Sequence, residues 1–173
     1  AVSNPPTALS AESVANIYGV PAGAIDVGPF SSGYIESDMF LGCRQGIWDS
    51  GQSGTMNFTI PNAPGLSWSS YKYVQVAVTQ YRDGIYQENA AVNISGATLV
   101  EVQSQNIETN LFGGLWVVEK SLWRVGPPSP AIETVVLTGG TNGSLIDQVV
   151  VDTLALDFVC PPDLVASADA TSS

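Results

Sequence analysis

Histidine is absent from the 173-residue chain, and basic side chains are scarce: five Lys and Arg stand against sixteen Asp and Glu, a formal net charge of −11. Without His there is no Ser-His-Asp or Cys-His catalytic set and no His-ligated metal. A Ser-Lys arrangement is left, with Lys72 and Lys120 as the available amines, both inside strand-like runs. The acidic balance excludes nucleic acid and anionic membrane surfaces as natural partners. It suits either a solvated acidic surface, the ordinary outcome, or a cation store. Charged residues of both signs reach only 12%, about half the usual share. No run approaches the roughly 18 apolar residues that span a bilayer, so no membrane insertion is expected. No signal-peptide pattern is present. The chain opens Ala1-Val-Ser-Asn-Pro-Pro6 without an initiator Met, as a mature end after signal cleavage would, and equally as a trimmed chain would.

Cysteine is nearly missing too. Cys43 and Cys160 are two residues far apart, with no CxxC between them, which argues against structural zinc. A disulfide is the economical reading, with two buried free thiols as its alternative. Closing so long a loop would contribute about 4–5 kcal/mol in the chain-entropy view and would place the chain in an oxidising compartment, secreted or at the cell surface. Three Asn-x-Ser/Thr sequons, at Asn57, Asn93 and Asn142, fit an exported glycoprotein.

What the chain has in quantity is Gly, Ser, Thr, Asn and Val, the composition of an all-β fold with many turns. Its longest β-like run is Ser144 to Cys160. Tyr71 to Tyr81 alternates cleanly, with Val74, Val76 and Val78 on one face and Tyr73, Gln75, Ala77 and Thr79 on the other. Met56, Phe58 and Ile60 share a face in Thr55 to Ile60, and a strand is expected around Trp48. Ile85 to Ile94 and Ala97 to Val102 continue the meander, and Gln103 to Asn110, being polar, is expected to be a loop. Leu115 to Arg124 is apolar on both faces, and Glu133 to Leu137 precedes the long closing run. This predicts an antiparallel β-sandwich, jelly-roll-like, of about eight to nine strands. The expected organisation is an N-terminal arm over 1–33, a sandwich domain over 34–160 and a tail or linker over 161–173. The arm carries Pro5, Pro6, Pro21 and Pro29; Ser10 to Tyr18 within it reads as a short helix with Ser10 as N-cap and Gly19 as stop.

The segments Pro128-Ser-Pro130, Ile132-Glu-Thr-Val-Val-Leu137 and Ile146-Asp-Gln-Val-Val-Val-Asp152 resemble the last two strands of jelly-roll sandwich domains in exported bacterial proteins of unassigned function. The resemblance extends to the general concanavalin-like and carbohydrate-binding jelly rolls. It covers the last third of the chain and implies a fold and an exported location, with no site residues. Cys160-Pro-Pro-Asp163 looks like a junction into a following Ig-like module.

Candidate chemistry is sparse. No glycine-rich phosphate loop occurs, because Gly139-Gly-Thr-Asn-Gly143 lacks the Lys and the helix. A glycosidase needs two carboxylates at a set separation. Asp147, Asp152 and Asp157 alternate in parity along the closing run, which points neighbours to opposite faces, and Asp147 and Asp157 are about 33 Å apart at strand rise. An enzyme is therefore not expected. Structural calcium is compositionally possible, with Asp26, Glu36, Asp38, Asp49 and Asp152 as oxygen donors. Trp68 and Tyr71, in Trp68-Ser-Ser-Tyr71, are the best candidates for a sugar-stacking platform, against packing as the ordinary fate of such aromatics. The expected function is an extracellular structural or adhesive subunit that self-associates through its N-terminal arm into a filament or surface layer. A carbohydrate-binding module with polysaccharide as partner is the alternative.

Overall fold

A computed structural model describes residues 7–37, 44–62, 71–83, 88–109 and 113–156. Among them there is no helix, and eleven strands form two antiparallel sheets. The smaller sheet runs β1 (Thr7–Leu9), β2 (Ala22–Asp26), β5 (Thr55–Pro61), β10 (Ile132–Thr138), β7 (Ala91–Ile94). The larger runs β3 (Gly33–Ser37), β4 (Gln45–Asp49), β11 (Leu145–Leu156), β6 (Tyr71–Arg82), β9 (Leu115–Val125), β8 (Ala97–Thr109).

The core follows from side-chain alternation, which gives each strand one buried face. Val74, Val76 and Val78 of β6 meet Ile25, Met56, Ile60, Ile94, Val135 and Leu137 of the smaller sheet, with Trp123, Val125 and Ile146 completing the layer. The β6 and β5 parities read from the sequence are those observed. On the outward face of the smaller sheet Asn57, Val136 and Asn93 form one cross-strand row.

One end of the sandwich is closed by loops packed backbone to backbone. Ser50 Oγ donates to Ser144 O (3.1 Å) and accepts from Ser144 N (3.1 Å), and Ser50 N donates to Ser144 O (2.9 Å). Gly28 N donates to Ser50 O and Gly139 N to Gly54 O, each at 2.8 Å. A Cβ on Gly28 or Gly54 would stand 1.9 Å from a backbone oxygen, so these turns require glycine.

Two expectations are corrected. Residues 10–18 form no helix. Asn16 instead turns the chain locally, accepting from Tyr18 N (2.9 Å) and donating through Nδ2 to Pro61 O (2.9 Å), the side-chain competition that makes Asn a poor helix former. Gln103 to Thr109 is strand, not loop, because β8 follows β9 in register as far as Thr109↔Leu115. Backbone pairing, not side-chain burial, holds that segment. The stretch before residue 34 also carries strands. β2 pairs along its whole length with β5 and delivers Ile25 to the core.

Candidate functional site

Two polar constellations stand out, one on each side of the larger sheet. The first lies outside the sandwich, where β4, β11, β6 and β9 bring Ile47, Leu145, Tyr81 and Trp116 into a second small apolar cluster with Ile35 at its margin. Trp116 is fully buried there although it points away from the main core. The Arg44 guanidinium covers it at 4.8 Å from the ring centroid, and Tyr81 packs against it at 5.4 Å. Arg44 is held in turn by Asp147, through an Nη1 hydrogen bond, and by Glu108 at 3.4 Å.

Asp147 reaches Arg44 because of a bulge. The β11–β6 register shifts between Ile146 and Gln148, leaving Asp147 as the extra residue. Strict alternation, which the parity count assumed, places Asp147 and Asp152 on opposite faces. The bulge resets the count. Asp147 turns to the outer cluster, and Asp152, opposite Gln75, is on the same outer face. The two carboxylates still form no pair, since Asp147 is committed to Arg44.

The second constellation is inside. Lys72, Asn62 and Glu133 are all buried between the sheets. Lys72 lies on β6 on the same face as Val74, Val76 and Val78, and Glu133 on β10 on the same face as Val135 and Leu137. Lys72 Nζ donates to both Glu133 Oε2 and Asn62 Oδ1. Asn62 is fixed from its other side, its Nδ2 donating to Pro130 O (2.7 Å) and its backbone N to Ala131 O (3.0 Å). The second carboxylate oxygen of Glu133, Oε1, is buried with no hydrogen-bond partner. The register puts Val125 beside Lys72 and Ile60 beside Glu133, so the walls are apolar. Buried polar groups of this kind ordinarily have every partner filled, and the orphaned oxygen marks this cluster out.

The residues singled out from sequence are scattered. Cys43, Cys160, Trp68, Asp38 and Asp157 lie outside the described residues. Tyr71 is half exposed on the outer face at the start of β6, with the Arg124 guanidinium 5.2 Å from its ring. Asp26, Glu36 and Asp152 are exposed on three different strands. Asp49 is buried and its oxygens are taken by backbone amides, Ser32 N at 2.7 Å and Gly51 N at 2.9 Å, so it stabilises a turn. Among the described residues no three acidic or Cys side chains gather as a cation site would require. Of the sequons, Asn57 is half-buried on β5, its Nδ2 donating to Thr55 Oγ1 (3.2 Å), Asn93 is exposed on β7, and Asn142 is exposed in the turn before β11.

Sequence reasoning passed over Asn62 and Glu133, and took Lys72 only as an amine inside a strand. The signal was present: Lys72 and Glu133 each extend an i, i+2 apolar series by one position, which places a charge on a buried face. Compared with known protein families, curated proteins and solved structures, the chain matches none.

Proposed function

We propose that the chain is an extracellular structural or adhesive β-sandwich subunit that self-associates by strand addition. The observation that carries this is β8. Thirteen residues long, it pairs with β9 on one side and with no strand on the other among the described residues. It is exposed along almost its whole length, with Leu99, Val100, Val102 and Ile107 open to solvent. It contains no Lys and no Pro, and the guards it does carry are Glu101, Glu108 and the bulges at Val100 and Ile107. The regular ladder between them, Glu101 to Asn106, fits one short added strand.

The occupant we assign is the N-terminal segment of a second copy. Its residues 10–21 belong to no strand, and Val14, Ile17, Tyr18 and Val20 are exposed, Ile17 at 87% and Val20 at 82%. Head-to-tail addition of this kind propagates unless it closes into a ring. The jelly-roll-like reading of the sandwich belongs to the same proposal. From β4 to β11 the chain changes sheet at every connection except the β8–β9 hairpin, and this alternation supports it.

The test removes residues 1–20, sparing β2 and its buried Ile25. Light scattering and negative-stain microscopy should show concentration-dependent oligomers or fibres for the full chain and a folded monomer for the shortened one. A full chain that stays monomeric throughout, or a shortened chain that assembles equally well, overturns the proposal.

A carbohydrate-binding module is the second reading, favoured by the outer face of the larger sheet. There Gln75, Glu101, Gln103, Lys120 and Leu122 line a shallow depression, and Tyr71 is half exposed on the same face. Retention on a polysaccharide that Tyr71→Ala abolishes would establish it; no retention on a broad glycan panel would dismiss it.

A further inference from the structure

We propose that Lys72 and Asn62 become joined side chain to side chain by an isopeptide bond, with Glu133 carrying the proton. The inference is independent of the assembly reading above. It rests on three reactive groups brought into contact in a dry interior. The Lys72 amine touches the Asn62 carboxamide oxygen and the Glu133 carboxyl at once, and exposures of 4%, 6% and 1% for Lys72, Asn62 and Glu133 keep water from competing. Two hydrogen bonds to the 130–131 backbone hold Asn62 in place.

The chemistry balances without any co-reactant. One proton moving along the Nζ–Oε2 hydrogen bond converts the ion pair into a neutral amine and a carboxylic acid, which a low-dielectric site tolerates better than charge. The free Nζ lone pair adds to Asn62 Cγ. Glu133 delivers its proton to Nδ2 as it takes the one that Nζ sheds. The Cγ–Nδ2 bond breaks, ammonia leaves, and a secondary amide remains between Cγ and Nζ. Glu133, a carboxylate in the starting ion pair, ends as a carboxylic acid that retains one proton of the former ammonium, and its otherwise unpartnered Oε1 gives it a second oxygen with which to relay protons. Holding amine, carbonyl and proton carrier in one place supplies the effective concentration that an ordinary carboxamide needs in order to be aminolysed. The product has no charged ammonium to bury, so the desolvation penalty of the Lys72–Glu133 pair is relieved. The bond ties the end of β5 in one sheet to the start of β6 in the other, closing residues 62–72 into a covalent ring.

Intact mass of the folded, purified protein is the deciding measurement. The expected value is below the sequence mass by one ammonia, about 17 Da, and digestion should yield a branched peptide containing both Asn62 and Lys72. Because Asn142-Gly143 can also lose ammonia by cyclising, the loss must map to the branched peptide. Glu133→Gln and Lys72→Met should each restore the mass of their own sequences. A folded wild-type protein at full sequence mass, or a loss that maps to Asn142, overturns the proposal; neither result depends on a variant folding.

Discussion

The Arg44 guanidinium lies 4.8 Å from the Trp116 ring centroid and forms the lid of a second apolar cluster on the outside of the larger sheet. Trp116 has no exposed surface; Tyr81, Ile47 and Leu145 are buried around it, and Arg44, held by Asp147 and Glu108, lies over its ring. Arg44→Ala removes a cation–π contact and leaves the Asp147 carboxylate without its partner. We expect a loss of about 1–3 kcal/mol in a urea titration. Arg44→Lys should recover only part of it, because an ammonium cannot lie flat on the ring while reaching a carboxylate in two directions. Full recovery by Lys would show that charge alone, not the planar stack, holds the lid.

The main core sets a second expectation through two leucines on opposite faces. Leu137 on β10 is 1% exposed and packs with Val135 and Met56, whereas Leu154 on β11 is 58% exposed. Leu137→Ala should destabilise by about 2–5 kcal/mol, combining lost transfer energy with a cavity. Leu154→Ala should stay within about 0.5 kcal/mol. Equal midpoints for the two variants would contradict the inward facing of β10.

The closed end of the sandwich gives a third. A Cβ at Gly28 would stand 1.9 Å from Gln52 O, while one at Gly126 would meet nothing within 4 Å. Gly28→Ala must therefore push apart the loops that Ser50 and Ser144 hold together, and we expect a thermal midpoint lower by several degrees. Gly126→Ala should leave it unchanged or slightly higher, since Ala restricts the unfolded chain more than Gly does.

The structure also shows where a sequence is legible. Alternation in β5 and β6 was readable because regular pairing preserves it, and Val74, Val76 and Val78 are all in the core. The face of Asp147 was not readable, because one extra residue in β11 reverses every parity count across it and nothing local to Leu145-Ile-Asp-Gln148 announces the bulge. Gln103 to Thr109 reads as a loop from its polarity, although an edge strand needs only backbone pairing on one side. The Lys72–Asn62–Glu133 cluster falls between these cases. The two charged positions were legible as charges on apolar faces, but their meeting depends on β6 and β10 facing each other across the sandwich, and Asn62 reaches it only through the turn after β5.

The free edge of β8 gives the last expectation. Val102 lies between the two bulges, opposite Ser121 on β9, and is 49% exposed. A charge there disturbs little inside one molecule, so Val102→Lys should leave stability within about 0.5 kcal/mol of the parent. Between molecules the effect differs. A lysine on an open edge keeps its ammonium hydrated only while the edge stays wet, and an incoming strand must strip that water away. If the N-terminal segment of a neighbour adds at Glu101 to Asn106, Val102→Lys should raise the concentration needed for assembly by tenfold or more, about 1.4 kcal/mol per contact. Light scattering across a dilution series reads this directly. Unchanged assembly with unchanged stability would move the contact off β8, and loss of both together would mean that Val102 supports the fold and not the interface.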